Sequence, residues 1–128
     1  MKAPADGYTL FFTTDSSITS NPHLYKKLPY DPRRDFVPIS LYATMPNILC
    51  INPSLPVKSV GEFVKLAKAS PGKYKYASSG IGASPHLTME YFKSAAGIDL
   101  IHIPYKVSAQ GYTDTISGEI QAFFFNLP

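Results

Sequence analysis

Tyr76-Ala77-Ser78-Ser79-Gly80-Ile81-Gly82-Ala83-Ser84-Pro85-His86-Leu87 is the stretch on which the fold turns. Before it, Lys73 to Ser78 alternates basic and aromatic residues, the pattern of a strand with one face buried and its lysines outward. A short Gly/Ser loop follows, and a helix starts at once. Ser84-Pro85 reads as an N-cap followed by proline at the first helical position. The helix is expected to run to about Ala96, with Leu87, Tyr91, Phe92 and Ala95 apolar and Gly97 as its C-cap.

Working outward, the same alternation recurs. Asn47 to Asn52 is an apolar strand closed by Pro53 and Pro56. Ser59 then opens a helix, with Glu62 completing a capping box and Val60, Phe63, Val64 and Ala67 forming one apolar face. Pro71-Gly72 stops it. Downstream, Leu100 to Ile103 is a short strand, Ser108 to Ser117 a helix ended by Gly118, and Ile120 to Phe125 a final apolar strand. Strand and helix in alternation imply repeated βαβ units, hence an α/β fold with a mostly parallel sheet flanked by helices. Towards the N-terminus, Tyr8 to Thr14 and Phe36 to Tyr42 are strand candidates, with a short helix over His23 to Leu28 between them.

Composition excludes several classes. The 128 residues amount to about one domain, and a chain of this size buries roughly two-thirds of its unfolded surface. A formal charge of +3, dispersed among acids, is no nucleic-acid footprint, though it mildly favours anionic small ligands. No stretch approaches the ~18 apolar residues of a membrane span. Cys50 is the only cysteine, expected to be a buried thiol, so there is no disulfide framework. His23, His86 and His102 lie far apart in sequence without metal-ligand spacing, and no metal or cofactor is expected.

Chemistry concentrates in the Ser78 to Ser84 loop. A helix N-terminus carries unpaired N–H groups and the positive end of the helix dipole. Glycines let a ligand approach the backbone, and serine hydroxyls add donors, which makes an anion site suited to a carboxylate or phosphate. In an open α/β sheet, ligands bind beyond the carboxyl ends of the strands, where this loop lies. The plainer alternative is a βα turn with a cap. The glycines do not fit a dinucleotide fingerprint, because Pro85 stands at the third position after Gly82. Ser78 or Ser79 with His86 would be the nucleophile and base of a small α/β hydrolase or transferase, but neither serine sits in a G-x-S-x-G elbow.

Read in order, several segments resemble one family. They are Asp6-Gly7-Tyr8-Thr9-Leu10, Asn21-Pro22-His23-Leu24-Tyr25-Lys26-Lys27-Leu28-Pro29-Tyr30-Asp31-Pro32 and Asp35-Phe36, then Pro53-Ser54-Leu55-Pro56-Val57-Lys58-Ser59 and Ser70-Pro71-Gly72-Lys73. Tyr76-Ala77-Ser78-Ser79-Gly80, His86-Leu87 and His102-Ile103-Pro104-Tyr105-Lys106 complete the set. Together they resemble the Bug, or TctC-like, periplasmic receptors of tripartite tricarboxylate transporters. The resemblance implies a periplasmic-binding-protein type II, or Venus flytrap, lobe and a non-enzymatic receptor. Such a receptor captures a small organic carboxylate or acidic amino acid in the periplasm and hands it to membrane permease subunits.

The same resemblance implies a site. The second-lobe clamp corresponds to Ser78, Ser79, Gly80, Ile81, Gly82, Ala83 and Ser84, with His86 just inside the helix. Thr14 and the Asp15-Ser16-Ser17 loop match the first-lobe rim, and Asn126 matches the asparagine at the return crossing. Residues 1–45 correspond to part of lobe one and residues 46–128 to lobe two of a longer protein with a signal peptide. The chain would thus be a fragment that binds weakly without the Gly-rich loop of lobe one. Val107 stands where the family usually has Gly, and Phe125 where it often has Asp, which points to a less cationic, more apolar ligand tail.

Overall fold

The core of the 44–128 unit is a four-stranded sheet in the order β1-β4-β2-β3, formed by β1 (Asn47–Ile51), β2 (Lys75–Ser78), β3 (Ile101–Pro104) and β4 (Ala122–Asn126). This is a computed structural model, and it describes residues 3–4 and 6–126. Met1, Lys2, Ala5, Leu127 and Pro128 lie outside the described residues. Residues 1–43 and 44–128 form two separate units.

β2 pairs in parallel with both β3 and β4, with Tyr76 opposite His102 on one side and Ala122 on the other. β1, by contrast, runs antiparallel to β4, placing Asn47 opposite Asn126 and Leu49 opposite Phe124. The sheet is therefore mostly parallel, as the alternation implies, but the first strand–helix–strand passage is not a parallel βαβ unit. β1 is also an edge strand with one bare face. Ile48 and Cys50 are exposed there, so the expected burial of the cysteine does not occur.

Helices cover both faces of β2. Phe63 and Ala67 of α3 (Val60–Ala69) and Met89 of α4 (Ser84–Ala96) pack with Tyr76, Ala122 and Phe124. On the other face, Tyr112 of α5 (Ser108–Ser117) packs against Ala77, Ile120, Phe123 and Phe125. Tyr76 and Ala77 are both fully buried, so β2 is a two-sided core strand and not the half-buried one its alternation predicts. Gly111 makes the α5 contact possible, because a Cβ there would lie 3.2 Å from Ala77 Cβ and from the Tyr105 ring. The α4 face differs from expectation too: Met89 enters the core while Tyr91 is exposed.

The caps explain the helix limits. Ser59 Oγ accepts the Glu62 N–H at 3.2 Å, and the Glu62 carboxylate accepts the Lys58 N–H at 2.6 Å. The reciprocal arm of the box thus lands one residue earlier than the motif implies. Gly97 and Gly118 end α4 and α5 with φ of 63° and 95°, the left-handed region that glycine enters without strain. At the far end of α5, buried Asn52 donates to the carbonyls of Thr115 and Ile116 and accepts the Ser54 N–H.

The 1–43 unit is built from turns. Its helices are the single turns α1 (Asp15–Ile18) and α2 (Asn21–Leu24), the latter earlier than the expected His23 to Leu28. Tyr8 to Thr14 and Phe36 to Tyr42 are not strands. They lie without ladder partners, and their rings pair locally, Phe11 on Phe36 at 5.2 Å and Phe12 on Tyr42 at 3.8 Å. Tyr30 Oη donates to the Ser17 carbonyl at 2.8 Å, tying the first helical turn to the chain beyond the second.

Candidate functional site

The loop after β2 begins with a serine that faces inward. Ser78 is 1% exposed, and its Oγ lies 2.7 Å from His102 Nε2 and accepts the Gly80 N–H at 3.2 Å. Ser79 and Ile81 are exposed at the crest of the loop. Gly80 and Gly82 adopt φ of 117° and 82°, which an L side chain would strain, and this lets the chain curl back so that Ala83 N–H reaches the Gly80 carbonyl at 3.3 Å. Gly82 N–H donates to His86 Nδ1 at 3.2 Å.

Ala83, not Ser84, is the N-cap of α4, and it supplies no side-chain cap. Ser84 and buried Pro85 occupy the first helical positions instead. Leu87 N–H bonds the Ala83 carbonyl. The Ser84 and His86 N–H groups meet no acceptor among the described residues, so the positive end of α4 is left for water or an anion. The freed Ser84 hydroxyl accepts from Asn47 Nδ2 at 3.2 Å.

That contact brings in a residue the sequence reading missed. Asn47 faces Asn126 across the β1–β4 ladder, on the sheet face that carries α4. The carbonyl oxygens of both side chains are buried and meet no hydrogen-bond partner among the described residues. Leaving such an acceptor unsatisfied costs about 1–3 kcal/mol, so the pair is set up to receive donors. The signal available in the sequence was an asparagine opening an otherwise apolar strand. Phe125 points the other way, into the aromatic cluster with Tyr112 at 5.3 Å, so its ring serves the α5 side of the core.

The three-dimensional arrangement also overturns the separation of the histidines. His86 stacks on His102 with centroids 4.3 Å apart, and His102 stacks on Tyr76 at 4.7 Å. Tyr76 Oη donates to Glu90 at 2.5 Å, and Lys93 meets the same Glu90 oxygen at 2.8 Å. Burial pushes both histidines below their ordinary value; His86 lowers His102 further, while Glu90 pulls both back up. Burial and its bond to Glu90 push the Tyr76 hydroxyl up. Burial pulls Glu90 up, but Lys93 and Tyr76 together hold it below its usual range. No cluster of metal-ligating side chains occurs among the described residues.

Ser79 and His86 share no hydrogen bond among the described residues; the serine beside a histidine is Ser78, which is sealed in the fold. Thr14 lies in the 1–43 unit, exposed and extended at the N-cap of α1. Beneath the exposed crest of the loop, Gly82 and Pro85 are buried. A shallow concavity at the start of α5 is lined by Lys106, Val107, Ala109, Gln110 and Thr113, with none of the loop residues.

A mostly parallel sheet with helices on both faces makes this an α/β domain, and its likeness to solved periplasmic binding proteins makes it a lobe of that type. The chain belongs to the tripartite tricarboxylate transporter receptor family, TctC, whose model matches residues 1–128. It is 37% identical over 128 residues to a UPF0065 protein of Bordetella pertussis, matching 98% of this chain and 39% of that protein. Protein BugT of the same species is 33% identical, over 99% of this chain and 39% of its own length. A solved periplasmic transporter superposes with a TM-score of 0.81 at 42% identity, covering 88% of this chain and 38% of that one. Rpa4515 of R. palustris, solved with adipate, gives 0.75 at 36% identity, covering 81% and 35%. The chain thus spans about two-fifths of the length of these curated relatives.

Proposed function

We propose that this chain is part of an extracytoplasmic solute receptor that binds a small organic carboxylate and passes it to the membrane permease subunits of a secondary transporter, without catalysing a reaction. In this reading the parent protein is periplasmic, residues 1–45 belong to the first lobe, and residues 46–128 form the second. The observation that carries the proposal is the uncapped start of α4. The N–H groups of Ser84 and His86 meet no acceptor among the described residues, and they follow the exposed Ser79 and two glycines in left-handed conformations. Hydrogen bonds from backbone N–H to a carboxylate are charge-assisted, and the helix dipole adds to them.

Membership of the family and the adipate held by Rpa4515 support a carboxylate as the ligand class. Ser79, Gly80, Ile81, Gly82, Ala83, Ser84 and His86 form the second-lobe clamp in this reading, with sealed Ser78 holding the loop from beneath, Asn126 at the return crossing and Thr14 on the first-lobe rim. Asn47 joins Asn126, their orphaned carbonyls favouring a ligand or bridging water that donates hydrogen bonds. An acidic amino acid, with its ammonium, satisfies that demand as well as a hydroxylated or partly protonated acid does.

Calorimetry of the full-length parent protein with di- and tricarboxylates tests the proposal. Binding without turnover is expected. Hydrolysis or transfer abolished by Ser79→Ala, with no acid bound, would establish the enzyme instead.

A further inference from the structure

Three rings are stacked behind the loop, His86 on His102 on Tyr76, and the outermost ring is bonded to the loop itself. Nδ1 of His86 accepts the Gly82 N–H, which it does only while that nitrogen is unprotonated. Next to it, His102 holds Ser78 Oγ at 2.7 Å. With the two imidazoles 4.3 Å apart, a charge on one opposes a charge on the other. Interacting sites of this kind titrate as a pair and not as independent groups.

We infer that His86 and His102 form a positioning pair that takes up one proton between them, and that this proton breaks the Gly82–His86 bond and charges the loop towards an incoming carboxylate. The step is a proton addition only. Solvent delivers H⁺ to His86 Nδ1, whose lone pair forms the new N–H bond, and the Gly82 N–H···Nδ1 hydrogen bond is lost. The Gly82 N–H, buried in the loop, then has no acceptor among the described residues, and the imidazolium beside it attracts an anion. That charge favours carboxylate binding, so proton and carboxylate assist each other, each raising the other's affinity by the same factor.

The groups facing the pair set the window. Glu90, one turn along α4, favours the charged form of both rings. Lys93 opposes it, and Tyr76 draws on Glu90 through its own hydrogen bond. Burial keeps both histidines below their ordinary value of 6.5, so the pair is neutral at pH 7.5 and charges only below 6.5. A histidine with a merely structural role would leave carboxylate affinity flat over this range.

The inference rests on the receptor reading for its ligand but is tested first without one. In nitrogen-15 NMR of the full chain, the Gly82 amide is expected to move with the His86 ring nitrogens at one midpoint below 6.5, with a single proton entering the pair. A Gly82 amide that stays still while His86 titrates, or two independent protonations, overturns it. Adipate is then the probe, by calorimetry of the full-length parent protein at pH 7.5 and below the midpoint that the NMR titration finds, in buffers of different ionisation enthalpy. Affinity about fivefold or more higher at the lower pH, with net proton uptake, is expected, a modest allosteric coupling. In His86→Gln, which keeps an oxygen acceptor for Gly82 but cannot titrate, the uptake disappears. Adipate binding in the wild-type chain without proton uptake overturns the inference. An amide that titrates as described, in a full-length parent protein that binds no di- or tricarboxylate, leaves the pair standing and removes the receptor reading.

Discussion

The two units of this chain are similar in sequence texture and opposite in outcome. Both contain aromatic and β-branched runs, yet Ala77 at the centre of β2 is fully buried while Val37 and Ile39 are 86% and 80% exposed. The difference lies in partners. β2 has a parallel neighbour on each side and a helix on each face, whereas 8–14 and 36–42 have no ladder to join within their own unit. A strand is a property of a sheet, and β-propensity measures how well a residue packs on one that already exists.

The largest effect that sharpens this contrast comes from truncating side chains. Phe63→Ala, in the core under the sheet, is expected to cost about 3–5 kcal/mol, whereas Leu10→Ala, 75% exposed, stays within about 0.5 kcal/mol. Urea unfolding followed by circular dichroism reads both. Equal losses would mean that the 1–43 unit hides a core of its own.

Next come two glycines in helices. Gly111→Ala pushes a methyl group against Ala77 and Tyr105 and is expected to destabilise by about 1–3 kcal/mol. Gly61→Ala, with open space around it in α3, is expected to stabilise by about 0.4–1 kcal/mol. Midpoints of thermal unfolding should move in opposite directions; movement in the same direction contradicts the packing of α5 on β2.

Caps give a smaller effect. Ser59→Ala removes the bond to the Glu62 N–H and is expected to cost about 1 kcal/mol. Ser84→Ala removes no cap, so its loss should fall below that of Ser59→Ala. A larger loss at Ser84 would make it the true cap of α4 and weaken the case for an open helix end.

The pH dependence follows from the stacked histidines. Their folded-state values are depressed, so the unfolded chain binds protons more readily as pH falls. Stability is therefore fully present above the ordinary 6.5 and declines as pH drops towards the folded-state values. Scanning calorimetry of wild type against His86→Gln should show the wild-type midpoint falling faster below 6.5.

Local signals were legible and long-range ones were not. The capping serine at 59, the glycine stops at 97 and 118 and the limits of α5 follow from chemistry within a few residues, and the sequence carries it in plain order. The antiparallel turn of β1 is invisible to such patterns, because an apolar run reads alike in either direction. The position of the α4 cap was misjudged by one residue, since Ser84 was drawn off by Asn47, a residue 37 positions away. The stacking of His86 on His102 and the facing of Asn47 by Asn126 are likewise products of strand pairing. The loop itself stood out in the sequence because glycine, serine and proline carry their geometry with them.

The proposed carboxylate binding depends on the open start of α4, and mapping amide shifts on titrating adipate into the full-length parent protein tests it most directly. Perturbations confined to residues 79–86, strongest at the Ser84 and His86 amides that lack protein acceptors, are the predicted result. Saturable shifts centred elsewhere, with those two amides unmoved, would contradict it.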